Sequence, residues 1–188
     1  FRLRTDAEKW FSKIERDFTY KFDAYYFCLM AGFAAVRKSP LTSADKPAFV
    51  DDFPGEYKLQ QNLLLGGLID AELRDLLGRG VTKEDRPVVE KTVARLVTAS
   101  GASTHLSTGN DGGATRMNEY ASGGFDVLTE RLGDGPHKLE TFLRQYAKLI
   151  TELEAERAEE DLAGITARGR DLWGVALRDL SAQGNTGG

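Results

Sequence analysis

The chain has 188 residues, of which 41% are hydrophobic and 29% charged, and its net charge is −4. That is long and apolar enough to bury a core, and too acidic for a wholesale cationic coat around a nucleic acid. No apolar run reaches the roughly 18 residues that a membrane span requires, so no membrane partner is expected.

In chain order, Thr5 with Glu8 three positions on has the pattern of a capping box, which predicts Thr5 as the N-cap of a first helix carrying Trp10, Phe11 and Ile14. Phe18, Phe22, Tyr25, Tyr26, Leu29, Phe33 and Val36 then step by threes and fours, the stripe of a central helix. Lys21, Asp23, Arg37 and Lys38 fall off that stripe, and Ser39-Pro40 ends it. Residues 40–56, with Pro40, Pro47 and Pro54, read as a loop, and 57–77 as a leucine-rich helix interrupted by Gly66 and Gly67. Residues 82–85 read as the cap of a further helix through Val88, Val89, Val93, Leu96 and Val97.

Residues 103–132 are the most unusual stretch. Two pairs, Gly112-Gly113 and Gly123-Gly124, bracket a polar run. Glycine is costly inside a helix, so either the backbone adopts conformations closed to other residues, or something approaches it closely. The first alternative predicts a loop, with helix only over 120–132. Gly133-Asp134-Gly135 reads as a turn and Pro136 as a first helical residue. Leu139, Phe142, Leu143, Tyr146, Leu149, Ile150 and Leu153 predict a long helix whose charged end is 154–161, with a last helix over 162–180. No alternating strand is apparent. The expectation is therefore an all-α fold: one helical domain over 1–183 with a flexible, disordered tail at 184–188. Its core would hold Phe22, Tyr26, Leu29, Phe33, Phe142, Leu143, Tyr146 and Ile150.

Cys28 is the only cysteine and sits among Tyr25, Tyr26 and Phe27. That pattern predicts a buried small hydrophobe, and the absence of any possible intrachain disulfide argues for a cytoplasmic setting. Phe1 is not an initiator residue, so the native start is expected upstream.

The P-loop, the dinucleotide glycine fingerprint and zinc-ligand clusters are all absent, and His105 and His137 are far apart in sequence. Oxygen donors are more plentiful. Asp111, Asn118, Glu119 and Asp126 are hard ligands of the kind Mg²⁺ takes, beside Arg116, and Asp126 and Glu130 share a helix face. These residues make Asp111, Asn118, Glu119 and Asp126 the candidate metal ligands, with Glu119 and Asp126 as candidate catalytic groups. Asp51, Asp52 and Glu56 form a second acidic group with a similar claim. Residues 1–40 hold eight Lys/Arg against five Asp/Glu, which points to a polyanion partner at that end. Arg2, Arg4, Lys21, Arg37, Lys38 and Arg116 are the candidate DNA-binding residues, and Tyr20 is an aromatic available for stacking.

Three blocks carry a resemblance. They are Lys21-Phe22-Asp23-Ala24-Tyr25-Tyr26-Phe27-Cys28-Leu29-Met30-Ala31-Gly32, Asn118-Glu119-Tyr120-Ala121-Ser122-Gly123-Gly124-Phe125-Asp126-Val127-Leu128, and Leu139-Glu140-Thr141-Phe142-Leu143. Together they resemble small proteins of bacterial DNA phosphorothioation gene clusters, nearest to the SspB-type component of the single-strand system. The resemblance implies a Mg²⁺-dependent DNA nickase (an endonuclease) serving phosphorothioate modification and phage defence. Its implied partners are DNA, a cysteine desulfurase, an ATPase and an ATP-pyrophosphatase. It supplies no catalytic residues; those rest on the chemistry above. The alternative is a non-catalytic helical adaptor that binds DNA or the partner proteins.

Overall fold

A computed structural model describes residues 1–41, 53–81, 85–100 and 103–183. The fold is all-α, with α1 (Thr5–Phe11), α2 (Phe22–Ala34), α3 (Gly55–Lys58), α4 (Gln61–Gly78), α5 (Arg86–Leu96), α6 (Gly113–Leu132) and α7 (Leu139–Gln183). The chain separates into two units, Phe1–Ile150 and Thr151–Gly188. Among the described residues no helix is long and apolar enough to cross a membrane.

The first unit is organised around the pair α2 and α6, the most extensive interface between described elements. Their approach explains the glycine pairs. A Cβ on Gly124 would run into the Cys28 carbonyl and lie 2.5 Å from the Gly32 nitrogen, and one on Gly32 would meet the Tyr120 carbonyl. Gly123 is closed off in the same way by the backbone of Arg37 and Lys38. Of the two explanations for these glycines, close approach is the one observed, and the approaching group is the chain's own backbone. The loop expected through 113–119 is accordingly helix: α6 begins at Gly113, with Gly112 in extended backbone as its N-cap.

Apolar side chains of both helices meet those of α1, α4 and the start of α7. Phe22, Tyr25, Leu29 and Phe33 are buried with Met117, Tyr120, Phe125 and Leu128, and Phe11, Ile14, Leu64, Leu68 and Phe142 join them. Phe142 stands edge-on to Phe27 and Phe11, with ring centroids 5.0 and 5.6 Å away. The expected core needs correction on α7. Leu143 is 42% exposed, and Tyr146 and Ile150 are half-buried, as is Tyr26 on α2. Up to Ile150, α7 buries only the narrow stripe through Phe142 and Leu149, and Tyr146 at its edge donates its hydroxyl to the Phe27 carbonyl at 3.0 Å.

Several local expectations are also revised. Arg4, not Thr5, precedes α1, and no side chain caps it; Asp6 inside the first turn accepts the Ala7 N–H instead. The helix expected through Val97 ends at Leu96. There β1 (Val97–Ser100) begins, pairing antiparallel with β2 (Ser103–Leu106) in the register Val97↔Leu106 and Thr98↔His105. Val97, Thr98 and Thr104 are β-branched and suit a strand, but four residues are too few for an alternation to stand out. Pro136 lies before α7, which starts at Leu139, and the separate last helix is instead the continuation of α7 to Gln183. Most of the expected loop (42–52, with Asp51 and Asp52 of the second acidic group), the cap at 82–84 and the tail at 184–188 lie outside the described residues.

Cys28 is fully buried, and burial pushes its thiol pKa far above the ordinary value. Because the thiolate is the reactive form, Cys28 is expected to resist a thiol-reactive disulfide reagent at mildly alkaline pH. It should react fully once the chain is unfolded. Stoichiometric labelling of the native protein at the rate of a free thiol would contradict this burial.

Candidate functional site: a cationic cleft between α4, α5 and α6

The leucine stripe of α4 is broken by a charge. Leu64, Leu65, Leu68 and Ala71 are buried, and next on that face comes Glu72, only 3% exposed. A carboxylate withdrawn from water is tolerated only if it is paired. The segment after α2 supplies the partner. Lys38 Nζ donates to Glu72 Oε1 at 2.7 Å and to Asp75 Oδ2 at 2.9 Å, and sits 5.4 Å from the Tyr120 ring centroid. Arg95 from α5 approaches Glu72 Oε2 at 3.7 Å, and Arg79 pairs with Asp75 at 2.8 Å.

Above this network lies a cleft of about 760 Å³. Its charged lining is Lys38, Arg79, Lys91, Arg95 and Arg116 against Glu72, Asp75 and Glu119. Five cations against three carboxylates leave the cleft net positive. Lys91 and Arg95 are one turn apart on α5 and therefore share a face. Lys91 makes no ion pair or hydrogen bond with another described residue. Arg95 has only its long contact to Glu72. Both are free to meet an anion.

Arg116 on α6 is more constrained. Nη1 donates to Glu119 at 2.6 Å and Nη2 to Asp111 at 2.8 Å. Burial works against its charge, but the hydrogen bond to Glu119 and the carboxylates of Glu119, Glu72 and Asp111 outweigh that and raise its pKa. Its Nε is buried and has no partner. The Tyr120 hydroxyl is also buried and is directed at the Glu72 carboxylate. Burial first, then the Glu72 and Asp75 carboxylates, push its pKa far up, so it stays a neutral donor beside the cleft floor.

The residues proposed from sequence are distributed over several places. Lys38, Arg116 and Glu119 line the cleft, and Asp111 reaches it through Arg116. Asn118 Oδ1 accepts from the Arg2 backbone N–H at 2.9 Å and from the Tyr25 hydroxyl at 3.1 Å. Asp126 is about 10 Å further along α6 than Glu119. It accepts from Arg4 Nη1 at 2.5 Å and from Ser39 Oγ at 2.5 Å. Arg4 also pairs with Asp6 and lies over the Phe125 ring. Arg37 grips Glu130 with both terminal nitrogens, at 2.5 and 2.7 Å, which holds Glu130 below the usual carboxylate range. Arg2 and Lys21 are exposed. Tyr20 packs edge-on to Tyr57 at 6.4 Å, and its hydroxyl is hydrogen-bonded to Glu56.

The four proposed metal ligands are thus held by different partners: Asp111 and Glu119 by Arg116, Asp126 by Arg4 and Ser39, Asn118 by Arg2 and Tyr25. As arranged, their oxygens do not converge on one ion. Among the described residues no group of three or more His, Cys, Asp or Glu is placed to hold a metal.

Sequence reasoning missed Glu72, Arg79, Lys91 and Arg95. Two signals were present: a glutamate at a buried position of a leucine stripe, and two cations four residues apart on a short helix. No protein-family model, curated protein or solved structure matches this chain.

Proposed function

We propose that this chain is a helical DNA-binding adaptor acting in the phosphorothioation and phage-defence setting that its resemblance implies. There it would work beside a cysteine desulfurase, an ATPase and an ATP-pyrophosphatase. The observation that carries the reading is the cleft, where cations from four segments outnumber the acids and where Lys91 and Arg95 are available to an anion. Phosphate contacts from lysine and arginine supply most of the sequence-independent affinity for nucleic acid. Exposed Arg2 and Lys21 extend the candidate surface. Arg4 and Arg37, held by carboxylates on the same chain, contribute less.

A second reading, Mg²⁺-dependent nicking, is favoured by one observation: Glu119 lines the same cleft. Against it, Asp126 is held elsewhere by Arg4, and the ligand oxygens diverge.

Two measurements on purified protein separate the readings. The adaptor binds labelled DNA with an affinity that falls as salt rises. Lys91→Ala and Arg95→Ala each weaken that binding several-fold and lower the salt slope by about one phosphate's worth. It also leaves supercoiled plasmid closed, with Mg²⁺ or with chelator. Metal-dependent open circles that disappear in Glu119→Ala would establish nicking instead. Absence of any DNA binding at low salt would remove both readings.

A further inference from the structure

The cleft has a size and a lining that discriminate among forms of DNA; this inference rests on the DNA-binding reading above. At about 760 Å³ it falls within the roughly 300–1,000 Å³ of small-ligand sites. That volume holds one or two nucleotides. A duplex, whose major groove alone is about 12 Å wide, cannot enter and can only lie across the mouth.

The lining is amphipathic. Among the cations stand Pro40, Leu76, Pro87 and Val88; Pro87 and Val88 are on α5 with Lys91 and Arg95, and Val88 is 43% exposed. Solvent-facing apolar side chains beside free cations offer two different contacts: an apolar patch for a base and charges for its phosphate. In a duplex the base faces are hidden in the stack, so only an unpaired nucleotide presents both.

We propose that the cleft takes unpaired nucleotides, as found in single-stranded DNA or at an overhang. Lys91 and Arg95 hold the phosphates, and Pro87 and Val88 support a base.

Fluorescence anisotropy tests this with four labelled probes: a single strand, a blunt duplex of the same sequence, that duplex with an overhang, and an abasic single strand. The single strand and the overhang are expected to bind several-fold more tightly than the blunt duplex. The abasic strand, with its phosphates intact, should lose that advantage. Val88→Ser, at an exposed position, should narrow the preference for unpaired over blunt-ended DNA several-fold. Equal affinity for single strand, overhang and blunt duplex would overturn the unpaired-nucleotide site yet leave DNA binding standing. An abasic strand that binds as well as the normal one would overturn the base contact, and with it the proposal. Failure to bind any probe would overturn the DNA reading itself.

Discussion

Gly124→Ala is expected to destabilise the chain by about 3 kcal/mol or more, enough to threaten folding. The new methyl group would meet the Cys28 carbonyl and the Gly32 nitrogen, both backbone atoms of α2. No flexible side chain is available to move aside, so α2 and α6 must separate and lose part of their shared apolar contact. Gly66→Ala is the matched comparison. Gly66 is also inside a helix, α4, but nothing lies within 4 Å of where its Cβ would be. There alanine should stabilise by about 0.5–1 kcal/mol, the difference in helix propensity. Urea denaturation of the two variants therefore should shift in opposite directions. An unchanged midpoint for Gly124→Ala would mean that the helices do not cross this closely. Gly32→Ala should resemble Gly124→Ala, and the double variant should cost less than the sum, because one separation of the helices relieves both clashes.

The second large effect is expected at the cleft floor. Lys38→Met removes the one close cation that buried Glu72 has among the described residues and leaves Arg95 at 3.7 Å. Breaking a buried pair from one side typically costs about 3–5 kcal/mol, because the remaining charge has lost both water and its partner. Adding Glu72→Leu should recover most of that loss, since a buried pair replaced by apolar groups of similar volume is often neutral. Asp75 keeps Arg79 in either variant. A double-mutant cycle by chemical denaturation gives the coupling directly. If Lys38→Met changed stability by less than about 0.5 kcal/mol, the size of an ordinary surface substitution, Glu72 would have to be solvated in the native state. The same result bears on function. Lys38 is a candidate DNA contact by sequence, but its ammonium is committed to two carboxylates. A loss of DNA binding in Lys38→Ala must therefore be judged alongside its melting temperature, whereas exposed Lys91 reports on binding alone.

Local pattern was sufficient for the fold class. The threes-and-fours stripe from Phe22 to Phe33 is helical wherever it packs, because periodicity dictates which face is apolar. Cys28 among aromatics was legible as buried for the same reason, as was the helix through Phe142 and Leu149. The reach of α6 was not. Gly113, Gly123 and Gly124 each lower helix propensity locally, and the compensation comes from backbone more than 80 residues away for Gly124, at Cys28 and Gly32. Nothing near them in the chain records that contact.

The candidate site shows the same division more sharply. Sequence determined which residues carry charge and which helix faces they occupy. Only the tertiary structure decided their partners. Arg4 finds Asp126 across 122 positions, Arg37 finds Glu130 across 93, and Lys38 finds Glu72 across 34. Those pairings withdraw several of the most prominent charges from any ligand and leave Lys91 and Arg95 available. The physical reason is range: hydrophobic periodicity is a property of one segment, whereas a charge's partner depends on which segments packing brings within a few ångströms, where Coulomb attraction at low dielectric is strong.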